Sequence, residues 1–338
     1  MSTLELGKYR LVLQPLEPLA LPAYKGATFR GGFGTVFRRV ACACGPGATL
    51  HQENCLYARV FETPESDALP ALPRTARIPH PFVLEPPLEA QRTYTPDEHL
   101  TLHLILIGQA IDWLPYFVFS FDELGRVGIG QSRGRYRVVE VLSVKGTQAT
   151  AVFSGSLRRF LAPGPRATLE ELWQPGPPIQ SIEVEFLTYA RVVGKGHLRS
   201  SLAFPLLFGA VLRRMALLMY AHCGGGTFPL PTGHPIDALA VLRYFYDRAS
   251  QHPEDRQAIR DAFGMAEQVT VAADRLRWED WERYSTRQEE RMRLGGVVGS
   301  IRYAGPLDAF LPYFRLGEYI HVGKNTAFGL GQMAVRVC

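Results

Sequence analysis

The clearest candidate for binding chemistry in this sequence is a glycine-rich segment close to the end of the chain. Residues 321–333, HVGKNTAFGLGQM, begin with His321 and combine three glycines with Lys324. Backbone N–H groups in such a loop can surround a phosphate because no side chain blocks its approach, and a lysine adds positive charge. The residues expected to line the anion are Gly323, Asn325, Gly329 and Gly331.

This segment does not follow the patterns of the common nucleotide-binding loops. A Walker loop places its lysine after the last glycine, whereas Lys324 follows the first. A dinucleotide fingerprint, GxGxxG, opens a βαβ unit. Here the spacing is G-x5-G-x-G, and the next residues, MAVRVC, alternate like a strand. The loop therefore precedes a terminal strand, and a mononucleotide ligand is not expected.

The charge balance supports a nucleic-acid partner only weakly. The 338 residues carry a formal net charge of +5, and only five of the 37 basic residues are lysines. Arginine suits bidentate phosphate contacts and stacking on bases. A biased genome composition would produce the same excess, so charge alone does not decide the partner.

The sequence predicts a protein of the reducing cytoplasm. Its first residues, MSTLELGKYR, lack the apolar region of a signal peptide, and its five cysteines are odd in number and scattered. The most apolar helix candidate, residues 204–222, carries Arg213 and Arg214 near its middle, where charge is costly in a bilayer. We expect this helix to be buried in a large core.

Apolar periodicity predicts the same order of elements in both halves of the chain. The first half reads as strand 8–21, helix 28–44, strands 80–88 and 99–108, helix 111–124 and strand 136–144. The second reads as strand 181–192, helix 204–222, strands 267–285 and 295–305, helix 306–317 and strand 327–337, with helix 237–250 inserted. Both orders are βαββαβ, the pattern of a ferredoxin-like unit.

The predicted fold class is therefore α+β, with tandem ferredoxin-like (RRM-like) domains. The N-terminal domain is expected at 1–160, and the C-terminal domain, with its helical insertion and glycine-rich loop, at 181–338. The segment 161–180 between them is rich in Pro and Gly and is interpreted as a linker. Three glycines in the first helix, at 31, 32 and 34, predict a close approach of another backbone.

Six stretches of the chain resemble the CRISPR repeat-processing endoribonucleases of the RAMP superfamily. They are FRGGFGTVFRR (29–39), CLYARVFETP (55–64), IPHPFVLEPP (78–87), RYSTRQ (283–288), GGVVGSIRYAG (295–305) and HVGKNTAFGLG (321–331). The resemblance implies an enzyme that binds the repeat of a CRISPR precursor RNA and cuts it once. It also implies a reaction without metal or cofactor, in which the ribose 2′-OH attacks the adjacent phosphate and leaves a 2′,3′-cyclic phosphate.

The resemblance implies a catalytic histidine on the first helix, but Thr35 stands at the matching position. A threonine cannot act as a general base at neutral pH. We therefore predict that His321 is the acid or base and that Lys324 stabilises charge on the phosphorane. The alternative for His321 is a loop histidine bonded to backbone. His51 is the next candidate, and His197 lies in a basic turn that could contact RNA or cap a helix.

Two arginine-rich segments are candidates for RNA contact. The first helix carries Arg30, Arg38 and Arg39, and the stretch 277–293 interleaves Arg283 and Arg287 with aromatic residues. The arginines of the first helix and Lys324 are expected to bind the same RNA. Acidic residues in 277–293 leave open the alternative of a self-paired charged surface.

A metal site is not predicted. Cys42, Cys44, His51 and Cys55 are close in sequence, but the C-x-C spacing differs from the C-x2–4-C of usual zinc sites. Buried structural cysteines are the favoured interpretation. Two hypotheses remain open for the whole chain: a metal-independent endoribonuclease that matures CRISPR RNA, or a catalytically inactive subunit that binds repeat RNA in an effector complex with other CRISPR proteins.

Overall fold

The computed structural model describes residues 4–45, 48, 51–52, 54–62, 72, 77–174, 176–246, 252–280, 282–285, 290–293 and 295–338. The chain forms two compact units. One comprises Leu4–Leu69 and Ile78–Thr168, and the other is built mainly from Leu169–Cys338. The division falls inside the Pro- and Gly-rich segment 161–180, whose middle part is a strand of the first unit followed by a short helix of the second.

The N-terminal unit contains an antiparallel sheet centred on four strands. They are β1 (Glu5–Pro15), β2 (Phe82–Glu85), β3 (Leu100–Ile107) and β4 (Tyr136–Lys145), in the order β2–β3–β1–β4. The sheet continues from β4 through β5 (Gln148–Ser154) and β6 (Arg159–Phe160), while β7 (Ala167–Thr168) pairs with the start of β1. A two-residue ribbon joins Leu19–Ala20 to Thr93–Tyr94. The strand β1 ends earlier than its predicted limit because Pro15 and Pro18 interrupt it.

The described residues of this unit form three α-helices: α1 (Gly26–Ala41), α2 (Leu56–Phe61) and α3 (Leu114–Val127), the last preceded by a 3₁₀ turn over Gly108–Trp113. Aromatic rings join the two long helices. The ring of Phe33 stacks on those of Phe117 and Phe121, with centroids 5.4 and 4.8 Å apart. The spacing of Phe29, Phe33 and Phe37 therefore marks the buried face of α1, as the sequence predicts.

The glycines of α1 have a different reason from the one the sequence suggests. A Cβ on Gly32 would lie 2.8 Å from the Leu124 side chain, and one on Gly34 would lie 3.2 Å from the Phe61 ring. Both glycines thus make room for side chains, not for another backbone. Gly31 has no such neighbour within 4 Å, so α1 presents open backbone at that position.

The C-terminal unit repeats the same topology. Its central strands are β8 (Ser181–Ala190), β13 (Thr270–Asp274), β17 (Gly296–Ala304) and β18 (Met333–Val337), in the antiparallel order β13–β17–β8–β18. The smaller strands are β9 (Val193–Gly194), β10 (His197–Leu198), β11 (Thr227–Pro229), β12 (Pro235–Asp237), β14 (Arg277–Glu279), β15 (Glu282–Ser285) and β16 (Glu290–Arg293). Both units therefore have the strand order of a ferredoxin-like fold, and the predicted tandem is confirmed.

The helices of this unit are α4 (Leu169–Leu172), α5 (Phe204–His222), α6 (Ala238–Tyr246), α7 (Pro253–Glu267) and α8 (Leu311–Ile320). Among the described helices, α5 is long and apolar enough to cross a membrane, but 72% of its most apolar window is buried inside the fold. Its burial agrees with the expectation of a core helix. The helix α7 was not predicted, because its buried face consists mostly of small residues.

Candidate functional site

The glycine-rich loop lies between α8 and β18, and its glycines are required by close backbone packing. Gly323 and Gly331 have φ angles of 90° and 71°, in the left-handed region that favours glycine. A Cβ on Gly323 would lie 2.7 Å from the Arg191 carbonyl oxygen, and one on Gly331 would lie 1.9 Å from the Val322 oxygen. Glycine is required at both positions because a side chain would prevent the backbone segments from packing against each other.

This packing contradicts the prediction that the loop glycines surround a phosphate. Gly329 and Gly331 are buried, and their N–H groups donate to Thr326 O (2.8 Å) and Tyr189 O (3.1 Å). The N–H of Lys324 donates to Arg191 O at 3.1 Å. These amides are already bonded within the unit, so in this conformation the buried glycines shape the loop and do not contact a ligand. The side chains that the loop exposes are those of Lys324 and Asn325.

His321 begins the loop and is closed off from solvent. Its side chain is 0% exposed, and its Nδ1 lies 3.2 Å from the carbonyl oxygen of Leu330, so the ring spans the base of the loop. Its backbone φ of 60° turns the chain out of α8. This environment matches the alternative of a histidine bonded to backbone. Proton transfer to an RNA would require the loop to open.

A buried arginine binds the C-terminal end of α8, where the glycine-rich loop begins. Arg214 on α5 donates from Nε to the Ile320 carbonyl oxygen at 2.7 Å, which satisfies one of the last carbonyls of α8. Burial lowers the pKa of this guanidinium to about 9. Since Ile320 immediately precedes His321, Arg214 and His321 together hold the start of the loop.

A basic hairpin adjoins the glycine loop in the same unit. The backbone of Arg191 pairs with that of Gly323 as a parallel bridge, and the chain then forms the ribbon β9–β10. Lys195 and Gly196 form the two-residue turn, with φ angles of 50° and 83°. Positive φ at both positions indicates a type I′ turn, in which lysine is unusual. The turn therefore holds a lysine exposed at its tip.

The sequence around this hairpin contains no compensating acid. Residues 191–206, RVVGKGHLRSSLAFPL, include Lys195, His197 and Arg199 but no Asp or Glu. Lys195 and His197 are exposed, while Arg199 donates from Nε to Gly194 O at 3.1 Å. The exposed side chains of Lys195, His197 and Lys324 lie on two segments that meet at the Arg191–Gly323 bridge, and we call these three side chains the basic surface. His197 was noted in the sequence, but its proximity to the glycine loop depends on the bridge at Arg191.

The three arginines of α1 that were predicted to bind RNA contact other groups of the protein. The guanidinium of Arg30 lies 5.0 Å from the Phe61 ring centroid, with Nη2 3.4 Å from His80 Nε2. The guanidinium of Arg38 lies 5.4 Å from the Tyr57 centroid and contacts the Ala48 oxygen. Arg39 pairs with Glu123 at 2.9 Å and remains 59% exposed. Arg39 is therefore the most accessible of the three.

Thr35 lies on the solvent-facing side of α1. Its hydroxyl donates to the Gly31 carbonyl oxygen at 3.3 Å, an ordinary contact of a helical threonine. Because a Cβ on Gly31 would meet nothing within 4 Å, this side of the helix is open. The position at which the family resemblance implies a histidine is thus accessible, but it carries a hydroxyl without acid–base capacity at neutral pH.

The arginine- and aromatic-rich stretch is self-paired where its side chains are described. Arg277 pairs with Glu279 at 2.6 Å, and Trp278 Nε1 donates to Asp280 at 3.0 Å. Arg283 lies in β15, where only the backbone is described, and Arg287 lies outside the described residues. For residues 277–280, the alternative of a self-paired surface agrees with the structure.

Three cysteines and a histidine meet where α1 ends and α2 begins. The ligand atoms of Cys42, Cys44, His51 and Cys55 all lie within 4.8 Å of one another. Sequence spacing did not predict this cluster, because it does not show that the end of α1 lies close to the start of α2. His51 faces the thiols and its side chain is only 3% exposed, which makes it a poor candidate for acid–base catalysis on RNA.

Comparison with known families divides the chain in the same way as its fold. Residues 4–164 match the family model AF_1859_N, described as an N-terminal domain. Residues 184–333 match the model of the CRISPR-associated endoribonuclease Cas6, a range that includes the hairpin and the glycine loop. An uncharacterized protein of Archaeoglobus fulgidus is 23% identical over 320 residues, which cover 94% of this chain and 93% of that protein.

Solved structures share the fold over nearly the whole chain. A Cas6 product complex has a TM-score of 0.55 at 19% identity, covering 99% of this chain and 100% of that one. Thermus thermophilus Cas6 gives 0.53 at 16% identity, with the same coverage. A partial Cas6-RT-Cas1–Cas2 complex gives 0.53 at 12% identity and covers 100% of this chain and 47% of that one. At these identities the likeness establishes the fold.

The chain has two ferredoxin-like units, and a glycine-rich loop precedes the last strand of the second unit. The C-terminal half of the chain matches the Cas6 model, and this match confirms the resemblance to CRISPR repeat-processing proteins of the RAMP type that was found in the sequence.

Proposed function

We propose that this protein is an endoribonuclease that cleaves CRISPR precursor RNA within its repeats, without a catalytic metal, through attack of a ribose 2′-OH. One observation carries the proposal: the bridge between Arg191 and Gly323 sets the exposed Lys324 beside a hairpin whose tip is Lys195. RNA offers a row of phosphates, and lysines bind them as point charges. The Cas6 family match covers this surface, which supports RNA as the ligand.

The basic surface also offers a group for proton transfer. His197 is exposed on β10, in the hairpin that carries Lys195. Its exposure allows contact with RNA, whereas the 0% exposure of His321 does not. In the proposed mechanism the 2′-oxygen bonds to phosphorus and the P–O5′ bond breaks. His197 either removes the 2′-OH proton or protonates the leaving 5′-oxygen, solvent makes the other proton transfer, and Lys324 stabilises the additional charge on the phosphorane. His321 then acts as a positioning residue that closes the base of the loop.

A second candidate function is supported by α1. Because Thr35 is exposed and carries no acid–base group, the unit presents an open face that is suited to binding without cleavage. A repeat-binding subunit would use the same lysines and leave the RNA intact. As a subunit of an effector complex, it would also have other CRISPR proteins as partners. Both functions share repeat RNA as the ligand and differ only in the fate of the phosphodiester.

The two functions separate in one assay. Purified protein is incubated with the repeat RNA of its own array, in parallel with a scrambled RNA of equal length, in EDTA. A single cut in the repeat and none in the scrambled RNA supports the endoribonuclease. Tight, repeat-specific binding without products supports the binding subunit. Equal affinity for both RNAs would contradict both.

A further inference from the structure

The group formed by Cys42, Cys44, His51 and Cys55 lies in the N-terminal unit and is not used by the proposed reaction. Cys42 directly follows α1, and Cys55 directly precedes α2. Cys55 is 2% exposed, and the other two cysteines are half-buried. All three thiols are free, so none is committed to a disulfide.

The separations in this cluster agree with those of a tetrahedral zinc site. Cys42 Sγ and Cys55 Sγ are 3.8 Å apart, and His51 Nδ1 lies 3.5 Å from each. Zn–S bonds of about 2.3 Å and a Zn–N bond of about 2.0 Å, in tetrahedral geometry, place two sulfurs about 3.8 Å apart and a sulfur and a nitrogen about 3.5 Å apart. With Cys44 included, no pair of ligand atoms exceeds 4.8 Å.

The surroundings supply the contacts that zinc ligands usually receive. His51 Nε2 lies 3.3 Å from a carboxylate oxygen of Glu62, and the other ring nitrogen, Nδ1, faces the thiols. A carboxylate behind the distal nitrogen is the usual partner of a zinc-bound histidine. The backbone N–H of Gln52 points to Cys44 Sγ at 3.3 Å, and such a donor stabilises a thiolate.

We propose that Cys42, Cys44, His51 and Cys55 bind one zinc ion in a closed, structural Cys3His site. Four protein ligands fill the tetrahedron and leave no position for water or substrate. The ion would fasten the end of α1 to the start of α2, next to Arg38 and Arg39. Its role is to hold the helix corner, so this inference does not depend on whether the protein cleaves RNA.

Metal content tests the proposal directly. Wild-type protein purified without chelators should contain roughly one zinc per chain by mass spectrometry. Cys55→Ser and His51→Ala should lose at least tenfold in zinc occupancy, while Cys223→Ser and Cys338→Ser should retain it. Glu62→Gln should keep the fold and weaken zinc affinity by about tenfold or more, because it affects only the orientation of His51.

Cobalt substitution keeps the test valid if a cysteine variant fails to fold. Wild-type protein loaded with Co²⁺ should show the intense visible bands of tetrahedral cobalt and a thiolate charge-transfer band, both absent at saturating zinc. Wild-type protein that is free of metal and shows no rise in Tm when zinc is added would overturn the proposal. A Cys42–Cys55 disulfide in the purified protein, or iron in place of zinc, would also overturn it.

Discussion

Arg191 and Gly323 pair through their backbones, and this bridge joins the glycine-rich loop to the basic hairpin. The pairing is possible because Gly323 lacks a Cβ, which would lie 2.7 Å from the Arg191 oxygen. Two segments more than a hundred residues apart in sequence thereby present Lys195 and Lys324 on one unit.

Removal of either exposed lysine should weaken repeat binding through lost phosphate contacts. For Lys195→Ala and Lys324→Ala we expect lower affinity and a salt dependence that is shallower by about 0.7 to 1 in log Kd against log salt concentration. Fluorescence anisotropy over a range of salt concentrations measures both quantities. Lys145→Ala, which removes a lysine of the N-terminal unit outside the basic surface, is the matched control. Unchanged salt slopes in both variants would show that the basic surface does not contact the RNA backbone.

The variant His321→Ala distinguishes a role of His321 in stabilising the glycine-rich loop from a role in acid–base catalysis. Because His321 is buried and bonds to the Leu330 carbonyl, we expect the variant to bind repeat RNA more weakly and to regain the wild-type single-turnover rate at saturating protein. His234→Ala, at an exposed loop position of the same unit, controls for loss of any histidine. A rate at least ~10²-fold lower with unchanged affinity would instead make His321 the acid or base.

In contrast to His321→Ala, His197→Ala should lower the cleavage rate and leave the affinity for repeat RNA nearly unchanged. If His197 transfers the proton, its removal lowers the single-turnover rate by about 10²-fold or more, while the affinity for the repeat changes little. His197→Gln, which keeps polarity without acid–base capacity near neutral pH, should be equally slow. A variant that cleaves at the wild-type rate would exclude His197 from the reaction and leave the lysines as an RNA-binding surface only.

Gly331→Ala should destabilise the C-terminal unit. Alanine at a φ of 71° is strained, and its Cβ would lie 1.9 Å from the Val322 oxygen, so we expect a loss of at least ~2 kcal/mol in the free energy of unfolding. The control is Gly264→Ala in α7, where a Cβ meets nothing within 4 Å and alanine should stabilise by about 0.5–1 kcal/mol. Chemical denaturation measures both. A Gly331→Ala variant as stable as the wild type would show that the loop accommodates the added methyl group without loss of stability.

The fold was predictable because burial imposes periodicity on the sequence. Strands such as Leu100–Ile107 and helices such as Phe204–His222 appear at or near their predicted limits, since their buried faces are continuous. The helix α7 escaped prediction because Ala258, Ala262 and Ala266 form a weak apolar stripe. The two-residue ribbons were also missed, since they depend on turn conformation and not on periodicity.

The site was less predictable, because sequence spacing does not give orientation. His321 was predicted to be catalytic from its place beside the glycines, yet its side chain is buried and lies against the Leu330 carbonyl oxygen. Gly329 and Gly331 were expected to face a phosphate, but they face backbone of their own unit. The cysteine cluster was rejected on its C-x-C spacing, although the corner between α1 and α2 brings its members together. In each case a tertiary contact that sequence spacing does not show determines the surroundings of the side chain or backbone group.

The central claim is cleavage through the 2′-OH, and a single atom of the substrate tests it. Repeat RNA is prepared with and without a 2′-deoxy substitution at the cut position and is incubated in EDTA, with bound zinc measured in the same samples. We predict that the all-ribose RNA is cut to a 2′,3′-cyclic phosphate, whereas the deoxy RNA binds with equal affinity and stays intact. Cleavage of the deoxy RNA, or activity that appears only when Mg²⁺ is added, would contradict the claim.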